Sequence, residues 1–190
     1  MIKVGITGSI ASGKTTVARM FAGKKYPLFD ADNEVRRIYK KNVFKEKIRK
    51  KFGLKNKKNI KGKIQKVIFK NKKNLQKLEK IIHPLVRKEL KNFIKKNKKK
   101  KVLIFEIPLL IESRLMRNFN KIIFVNSNRK IRLRRFLKRG KNKKIFDFLD
   151  KRQLTPVKKI KFSDYVINNN NSLEFLKKNV KIIKNNLWTK

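Results

Sequence analysis

The sequence predicts an α/β fold in which helices cover both faces of a five-stranded parallel sheet. Short apolar runs bounded by polar or turn residues are typical of buried strands, and longer segments of helical periodicity separate them along the chain. The five runs are Ile2–Ile6, Pro27–Phe29, Val102–Phe105, Ile122–Val125 and Tyr165–Ile167.

Helical patterns fill the segments between these runs. Residues 33–100 show helical periodicity and no convincing strand, so we expect a helical excursion inserted between two strands. Apolar residues from Leu75 to Phe93 recur near every 3.6 positions, and Pro84 inside this run predicts either two helices or one kinked helix. Further helices are predicted after the first strand and near the C-terminal end, by Val17, Ala18 and Phe21 and by Leu173, Leu176, Val180 and Ile183.

Length and composition exclude several classes of protein. The chain has 190 residues, no cysteine and one histidine, which excludes disulfides, thiolate metal sites, cysteine nucleophiles and multi-histidine metal centres. No apolar run approaches the roughly 18–20 residues that a membrane span needs. The glycine-interrupted start, MIKVGITG, is unlike a signal peptide. We therefore expect residues 1–190 to form a single cytoplasmic domain.

The charge is extreme, because 57 Lys and Arg against 12 Asp and Glu give a formal net charge of +45. Such a chain is expected to bind RNA without sequence preference at low salt and to attract anionic small molecules. Two causes stay open: selection for a polyanionic partner, or base composition, since the abundant Lys, Asn, Ile and Phe have AT-rich codons. The Lys/Asn runs at 95–101, 141–144 and 168–171 are expected to be solvated loops or helix ends, or else dedicated binding tails.

The strongest motif is GSIASGKT at residues 8–15, which fits the pattern G-x-x-x-x-G-K-[ST] between a predicted strand and a predicted helix. Gly8 and Gly13 let the backbone turn tightly against a phosphate, toward which the loop amides and the helix N-terminus present positive potential. Lys14 can reach the β- and γ-phosphates, and the Thr15 hydroxyl can ligate Mg²⁺. The motif predicts nucleoside triphosphate binding without separating a kinase from a GTPase or ATPase. The alternative is a chance glycine turn in a lysine-rich chain.

Asp30-Ala31-Asp32 follows the second predicted strand and holds two of the five aspartates in the chain. Ligands of open α/β sheets bind outside the carboxyl ends of the strands, where a carboxylate can accept a proton from an attacking hydroxyl. The alternative is that the pair caps the following helix, a position that aspartate favours.

Several further short motifs follow along the chain. With the two motifs above, the set comprises Gly5–Gly8 and Gly13–Thr16, Asp30–Asp32 with Arg36, Phe52 and Gly53, Phe69 with Leu78 and Glu79, His83 and Pro84 with Arg87, Pro108–Glu112, Arg135 with Arg139, Gln153, and Asp164 with Val166–Asn168. The opening loop is similar to GLTGGIGSGKS/T, and later segments are similar to DADxxxR, HPxxR, PLLxE and Q…ADxVIxN. Taken together, these motifs resemble those of the dephospho-coenzyme A kinase family, in that family's order and over essentially the whole length.

This resemblance implies a three-layer P-loop kinase fold, with a helical acceptor-binding region around 33–100 and a short basic lid around 128–145. It implies transfer of the ATP γ-phosphoryl group to the ribose 3′-hydroxyl of dephospho-CoA, the last step of coenzyme A synthesis. The implied cofactor is Mg²⁺, and the implied substrates are ATP and dephospho-CoA. Neither a membrane nor an obligate protein partner is expected.

The resemblance also implies residue roles. Asp32 is the expected general base, and Arg36, His83, Arg87 and Pro108–Leu110 fall where the family binds its acceptor. Lys14 and the lid residue Arg139 are expected to neutralise charge on the transferring group, and Thr15 is the expected metal ligand. The residues expected to bind ATP are Gly8, Ala11, Ser12, Gly13, Lys14, Thr15 and Thr16.

Some of these assignments have structural alternatives. His83 can be a structural residue at a helix junction, and Arg139 can belong to a solvated face of the basic stretch 129–144. Glu106 can contact the water shell of Mg²⁺ or simply end a strand. Two departures from the family pattern stand out: Lys61 where an arginine is common, and Phe148 where some members carry an arginine.

Two rival functions remain open. One is another small-molecule P-loop kinase with a nucleoside, nucleotide or shikimate-type acceptor. The other is a basic RNA-binding protein with a degenerate nucleotide site.

Overall fold

The computed structural model describes residues 1–55 and 59–188, and within them it leaves out the side chains of residues 61, 69, 70, 72 and 188. The sequence expectations for Lys61 and Phe69 therefore lie outside the described side chains. The chain forms two compact units, one made of Met1–Asp30 with Asn97–Lys190 and the other of Ala31–Lys96.

The first unit is built on a five-stranded sheet with strand order β2-β3-β1-β4-β5, in which every neighbouring pair is parallel. All five predicted strands are confirmed. β1 runs two residues beyond its predicted end because Thr7 and Gly8 continue the pairing with β4. The strands are β1 (Ile2–Gly8), β2 (Leu28–Asp30), β3 (Val102–Glu106), β4 (Lys121–Asn126) and β5 (Tyr165–Asn168).

The described residues also contain nine α-helices and one 3₁₀ turn at Met116–Asn118. The helices are α1 (Lys14–Ala22), α2 (Ala31–Lys40), α3 (Asn42–Lys51), α4 (Ile60–Lys70), α5 (Lys72–Lys96), α6 (Arg129–Leu137), α7 (Lys143–Asp150), α8 (Pro156–Ile160) and α9 (Leu173–Trp188).

Apolar side chains of alternate strand residues cover the two faces of the sheet, as the two-residue period of a strand requires. One face packs against α1 and α9 through a cluster that includes Val17, Phe21 and Leu176. On the other face, Phe105 lies edge-on to Phe119 with ring centroids 5.2 Å apart, and α8 contacts β4. Strong burial on both faces explains why the strand sequences are continuous apolar runs.

The second unit consists of α2 to α5, and its described residues include no strand. These helices enclose their own core, which includes Ile38, Ile48, Ile64, Leu78 and Ile82. The segment around Pro84 forms one helix, α5, rather than two. A proline in a helix removes one amide hydrogen bond, but Pro84 is exposed, and residues on both sides of it, such as Ile82 and Leu85, pack into this core.

Parallel pairing brings the carboxyl ends of all five strands to one edge of the sheet. In the register of the first unit, Asp30 at the end of β2 is paired with Glu106 at the end of β3. On the other side of β3, Glu106 is paired with Ile6 of β1, two residues before Gly8. The glycine-rich motif and two carboxylates therefore share this edge.

Candidate functional site

The loop at residues 8–13 leaves β1 and enters α1 with a backbone that only certain residues tolerate. Gly13 is the N-cap of α1 and has φ 94°, and Ala11 also has positive φ, at 58°. A Cβ placed on Gly8 would lie 2.8 Å from the carbonyl oxygen of Val125, and 2.5 Å from Ser12 Oγ. Steric limits therefore require glycine at position 8, and the left-handed conformation favours glycine at position 13.

The N-terminus of α1 is open to an anion. No side chain caps it, and its first turn contains no acidic residue. Its first amides and the aligned peptide dipoles thus present uncompensated positive potential, with Lys14 at the first helical position. Ser12 Oγ is buried and has no hydrogen-bond partner within the described part of the chain. These features are those that binding of a phosphate requires.

Thr15 and Glu106 form the polar pair beside this loop. Thr15 Oγ1 donates to Glu106 Oε1 at 2.6 Å, and Glu106 is 1% exposed. Because the hydroxyl proton points to the carboxylate, the lone pairs of Thr15 remain available for a cation. Of the two interpretations of Glu106, this hydrogen bond to the predicted metal ligand Thr15 favours a role near a metal over a strand-end carboxylate without a function.

The two oxygen-bearing groups fit a small divalent cation. Mg²⁺ prefers oxygen ligands and is usually held by one or two protein groups together with substrate phosphates. Among the described residues, no cluster of three or more Asp, Glu or His side chains could hold a metal by itself. A site at Thr15 and Glu106 would therefore have to share its metal with a bound triphosphate.

Polar side chains from outside the loop hold its backbone. Gln153 Oε1 accepts from the Ile10 amide at 2.8 Å, and Arg132 Nη1 donates to the Ile10 carbonyl at 3.4 Å. Asn169 Nδ2 donates to the Ser12 carbonyl at 2.8 Å. Sequence reasoning found Gln153 only through the family motif and missed the other two residues.

The expectation that the run at 168–171 is solvated is wrong for Asn169, which is 7% exposed. It directly follows β5 at the carboxyl edge of the sheet, where it is buried and its side chain binds the loop. The corresponding expectation for the run at 141–144 is confirmed, because all four residues are exposed.

Arg132 is an exception to the solvated helix face that is the default expectation for the basic stretch 129–144. Its side chain is 5% exposed and pairs with Asp150 at 2.5 Å. The guanidinium also donates to the Ser127 carbonyl and lies 5.6 Å from the ring centre of Phe146. Arg139 is exposed just beyond α6, which fits both the proposed lid residue and its alternative, a solvated helix face.

Arg135 is half-buried, in contrast to the buried Arg132 and the exposed Arg139. Its guanidinium donates to Ser127 Oγ at 3.3 Å and to Asn169 Oδ1 at 3.4 Å. Burial, followed by the positive charges of Arg134 and Arg139, lowers the pKa of Arg135. The contacts with neutral oxygens hold this arginine beside the loop without neutralising it, so its charge remains available to an anion.

A second buried cation lies in α8. Lys159 is fully buried and pairs with Glu112 Oε1 at 2.8 Å, and the same oxygen accepts from the Leu154 amide. Burial lowers the pKa of Lys159; the hydrogen bond and charge of Glu112 oppose this shift, and the charges of Lys14 and Arg132 add to it. The positive charge of Lys14, next to the phosphate loop, therefore adds to the effect of burial on this amine.

In the second unit, Asp32 and Arg36 line a cavity of about 600 Å³. Asp32 lies in the first turn of α2 and makes no hydrogen bond with a described residue, which disfavours a capping role. Tyr39 forms part of the wall, and burial raises its pKa to about 12. Two lysines that sequence reasoning missed also contribute. The complete lining is Asp32, Val35, Arg36, Tyr39, Lys40, Lys45, Asn59 and Ile60.

The remaining expected acceptor residues lie in both units. His83 is half-buried in α5, and Arg87 is exposed on the same helix. In the first unit, the Pro108 carbonyl accepts from Thr7 Oγ1 at 3.0 Å, and Leu110 is fully buried against the sheet. Leu109 is half-buried. No described helix is both long and apolar enough to cross a membrane.

Comparison with other proteins shows similarity over nearly the whole chain. A family profile described as dephospho-CoA kinase matches residues 2–174. A relative from Fusobacterium nucleatum, named dephospho-CoA kinase, is 40% identical over 182 residues, which are 93% of this chain and 94% of the relative.

Two solved structures show the same similarity in three dimensions. A Thermus thermophilus protein superposes with a TM-score of 0.80 at 27% identity, covering 98% of this chain and 97% of the other. A dephospho-CoA kinase from Campylobacter jejuni gives a TM-score of 0.65 at 26% identity, covering 96% of each chain.

Proposed function

Since this chain belongs to the dephospho-CoA kinase family, we propose that it phosphorylates the ribose 3′-hydroxyl of dephospho-CoA to give coenzyme A. The hydroxyl oxygen forms a bond to the γ-phosphorus of ATP, and the bond from that phosphorus to the β–γ bridging oxygen breaks. The hydroxyl proton goes to a carboxylate, and ADP leaves. The family match over residues 2–174 carries the proposal, and the phosphate loop supplies a donor site for it.

For the donor, we assign ATP to Gly8, Ala11, Ser12, Gly13, Lys14, Thr15 and Thr16. The open N-terminus of α1 and Lys14 bind the phosphates. Thr15 would hold Mg²⁺ through its hydroxyl oxygen, while the hydroxyl donates a hydrogen bond to Glu106. When bound, Mg²⁺ supplies charge neutralisation at the β- and γ-phosphates. Arg139 would contribute its charge from the lid at 128–145, which limits access of water to the transferring group.

For the acceptor, we assign the general base to Asp32. Its carboxylate is exposed and makes no hydrogen bond with a described residue, so it is able to accept a proton. Arg36, Lys40 and Lys45 line the same cavity and make no ion pair with a described residue. Three unpaired cations suit the diphosphate of dephospho-CoA, and Tyr39 and Ile60 add apolar surface. His83, Arg87 and Pro108–Leu110 are proposed as further acceptor contacts.

The test is release of ADP from Mg-ATP with dephospho-CoA, adenosine, AMP, shikimate or no acceptor. We expect turnover only with dephospho-CoA, and a loss of at least about 100-fold in kcat for Asp32→Asn, because general-base catalysis contributes about 10²–10⁴-fold. Glu34→Gln is the matched control. It also removes one carboxylate from the first turn of α2, but Glu34 does not line the cavity.

The other outcomes separate the rival functions. Turnover with a different acceptor would keep the kinase and overturn the assignment of the substrate. ATP binding without acceptor-dependent turnover would overturn the kinase and favour a nucleic-acid-binding role. Equal losses in Asp32→Asn and Glu34→Gln would overturn the assignment of Asp32 as the base.

A further inference from the structure

The buried side chain of Asn169 contacts both the phosphate loop and α6. Its Nδ2 donates to the Ser12 carbonyl at 2.8 Å, and its Oδ1 accepts from Arg135 Nη2 at 3.4 Å. The backbone N–H of Asn169 donates to the Asn126 carbonyl at 2.8 Å, and this bond anchors the residue to the end of β4. One side-chain amide thus joins two parts of the donor site from a fixed point on the sheet.

The chemistry of the partners fixes the orientation of this amide. A carbonyl oxygen only accepts and a guanidinium only donates. Nδ2 must therefore face Ser12 and Oδ1 must face Arg135, because the flipped arrangement would lose both hydrogen bonds. Consequently Nδ2 holds the Ser12 carbonyl and Oδ1 holds Arg135, and substitutions can test the two contacts separately.

The bond to Ser12 determines where an amide of the loop points. The peptide unit between Ser12 and Gly13 is planar and trans, so its N–H points away from its carbonyl. Because Asn169 binds this carbonyl, the Gly13 N–H is directed away from the Asn169 side chain. A glycine at φ 94° has little resistance to rotation of this unit, so an external contact is needed to fix it.

Close packing shows that Asn169 and Gly13 are adjusted to each other. A Cβ on Gly13 would lie 2.2 Å from Asn169 Nδ2. The side-chain amide therefore fills the space that any larger residue at position 13 would occupy. Position 13 requires glycine both for its left-handed backbone and for this contact.

We propose that Asn169 is a positioning residue for ATP, which aims the Gly13 N–H at the bound phosphates and holds Arg135 beside them. This inference rests on the proposed donor site, but not on the identity of the acceptor. Asn169 itself does not touch the reacting atoms in this assignment. It acts through the backbone of Gly13 and the guanidinium of Arg135.

The test compares Asn169→Ala with Asn171→Ala, which removes an exposed asparagine from the same loop. We expect Asn169→Ala to raise the Kd and KM for Mg-ATP about 10-fold, the effect of losing one well-placed hydrogen bond. The KM for dephospho-CoA should stay within about twofold, and Asn171→Ala should match the wild type. General loosening of the fold would instead raise both KM values.

Two further variants separate the tasks of the amide. Asn169→Ser keeps a short donor and serves as the test if Asn169→Ala does not fold; its Kd for Mg-ATP should also rise. Arg135→Met removes only the contact with Oδ1. If Asn169 orients Arg135, the double variant Asn169→Ala/Arg135→Met should bind ATP more tightly than the product of the two single effects predicts.

The outcomes distinguish this inference from the proposed function. Wild-type protein that does not bind Mg-ATP would overturn the proposed function together with the donor site. Wild-type protein that binds Mg-ATP, with a folded Asn169 variant of unchanged Kd, would overturn the inference alone. Strictly independent effects of Asn169 and Arg135 would remove the part of the inference that concerns Arg135.

Discussion

Thr15 and Glu106 stand 91 positions apart in the sequence and are joined by a hydrogen bond of 2.6 Å at the carboxyl edge of the sheet. The bond forms because β3 lies beside β1 and ends where the phosphate loop turns into α1. A hydroxyl whose proton is held by a buried carboxylate presents its lone pairs in a fixed direction. The geometry of the pair therefore suits the divalent cation that we propose there.

Glu106→Gln tests this pair. The amide keeps the size of the side chain but loses the charge that holds the Thr15 proton. We expect kcat to fall about 10–100-fold and the Mg²⁺ concentration for half-maximal activity to rise, as for other groups that orient a metal ligand. Magnesium titrations of ATP turnover would measure both effects, and an unchanged magnesium requirement would contradict the assignment.

Lys45→Met tests the acceptor cavity. Lys45 lines the cavity with Asp32, whereas Lys47 on the same helix is exposed and does not line it. We expect Lys45→Met to raise the KM for dephospho-CoA by about 10-fold or more and to leave the KM for ATP unchanged, because a hydrogen bond to a charged group contributes about 1.5–3 kcal/mol.

Lys47→Met is the matched control for Lys45→Met, since both variants lower the net charge by the same amount. Steady-state kinetics at two ionic strengths would compare them. If both variants raised the KM equally, the effect would come from the overall charge of the protein, and the assignment of Lys45 to the acceptor site would fail.

The two arginines that α6 directs toward Asp150 should differ in their contribution to stability. The side chain of Arg132 is 5% exposed, and that of Arg129 is 55% exposed. We expect Arg132→Met to lower the free energy of unfolding by about 3 kcal/mol, since it removes the nearer cation from a largely buried carboxylate and leaves only the exposed Arg129, at 3.4 Å. Arg129→Met should cost about 0–1 kcal/mol. Urea unfolding would measure both, and similar losses would contradict the role of burial.

The stability of the protein should depend on pH through Lys159. Burial lowers its native pKa, whereas the unfolded chain has the ordinary value of 10.5. Between the lowered value and 10.5 the unfolded state binds more protons, so stability rises with pH across that window. The charges that face this amine are Glu112, Lys14 and Arg132.

Lys159→Met should remove this rise, so the wild type should gain stability relative to the variant as the pH increases toward 10.5. Urea unfolding at several pH values would show the trend. Lys158→Met is the control, because Lys158 is the exposed neighbour on the same helix and should leave the pH dependence unchanged. Parallel pH profiles of wild type and Lys159→Met would refute the prediction.

The net charge of +45 predicts a salt-sensitive affinity for RNA. Because such binding depends on counterion release, the logarithm of the association constant should fall linearly with the logarithm of salt concentration. Filter binding or fluorescence anisotropy with different homopolymers would measure it. A sequence preference that persists at physiological salt would instead indicate a dedicated RNA site.

The strands and the phosphate loop could be predicted from the sequence because their signals are local. A buried parallel strand is a short apolar run, and the loop is a fixed spacing of two glycines, a lysine and a threonine. Pro84 marks the limit of such signals. It restricts its own turn, but the continuation of α5 depends on apolar residues that bury the helix on both sides of it.

The supports of the site could not be predicted because their partners are distant in the sequence. Arg132 is surrounded by exposed basic residues, and only Asp150 and Phe146 from α7 explain its burial. Asn169 is one of four consecutive asparagines, and Lys159 is one of two adjacent lysines. From composition alone, both residues are expected to be exposed to solvent. They are buried because of where the fold places them, next to the end of β5 and in α8.

The strand order has a consequence for synthesis of the protein. β1 is made first, but its partners in the sheet begin at residues 102 and 121. At about 5–20 residues per second, roughly 5–20 s pass between emergence of Ile2 and emergence of Val102. During this interval one of the most apolar segments of the chain has unpaired backbone groups. The nascent protein should therefore be most vulnerable to aggregation before the second half of the sheet leaves the ribosome.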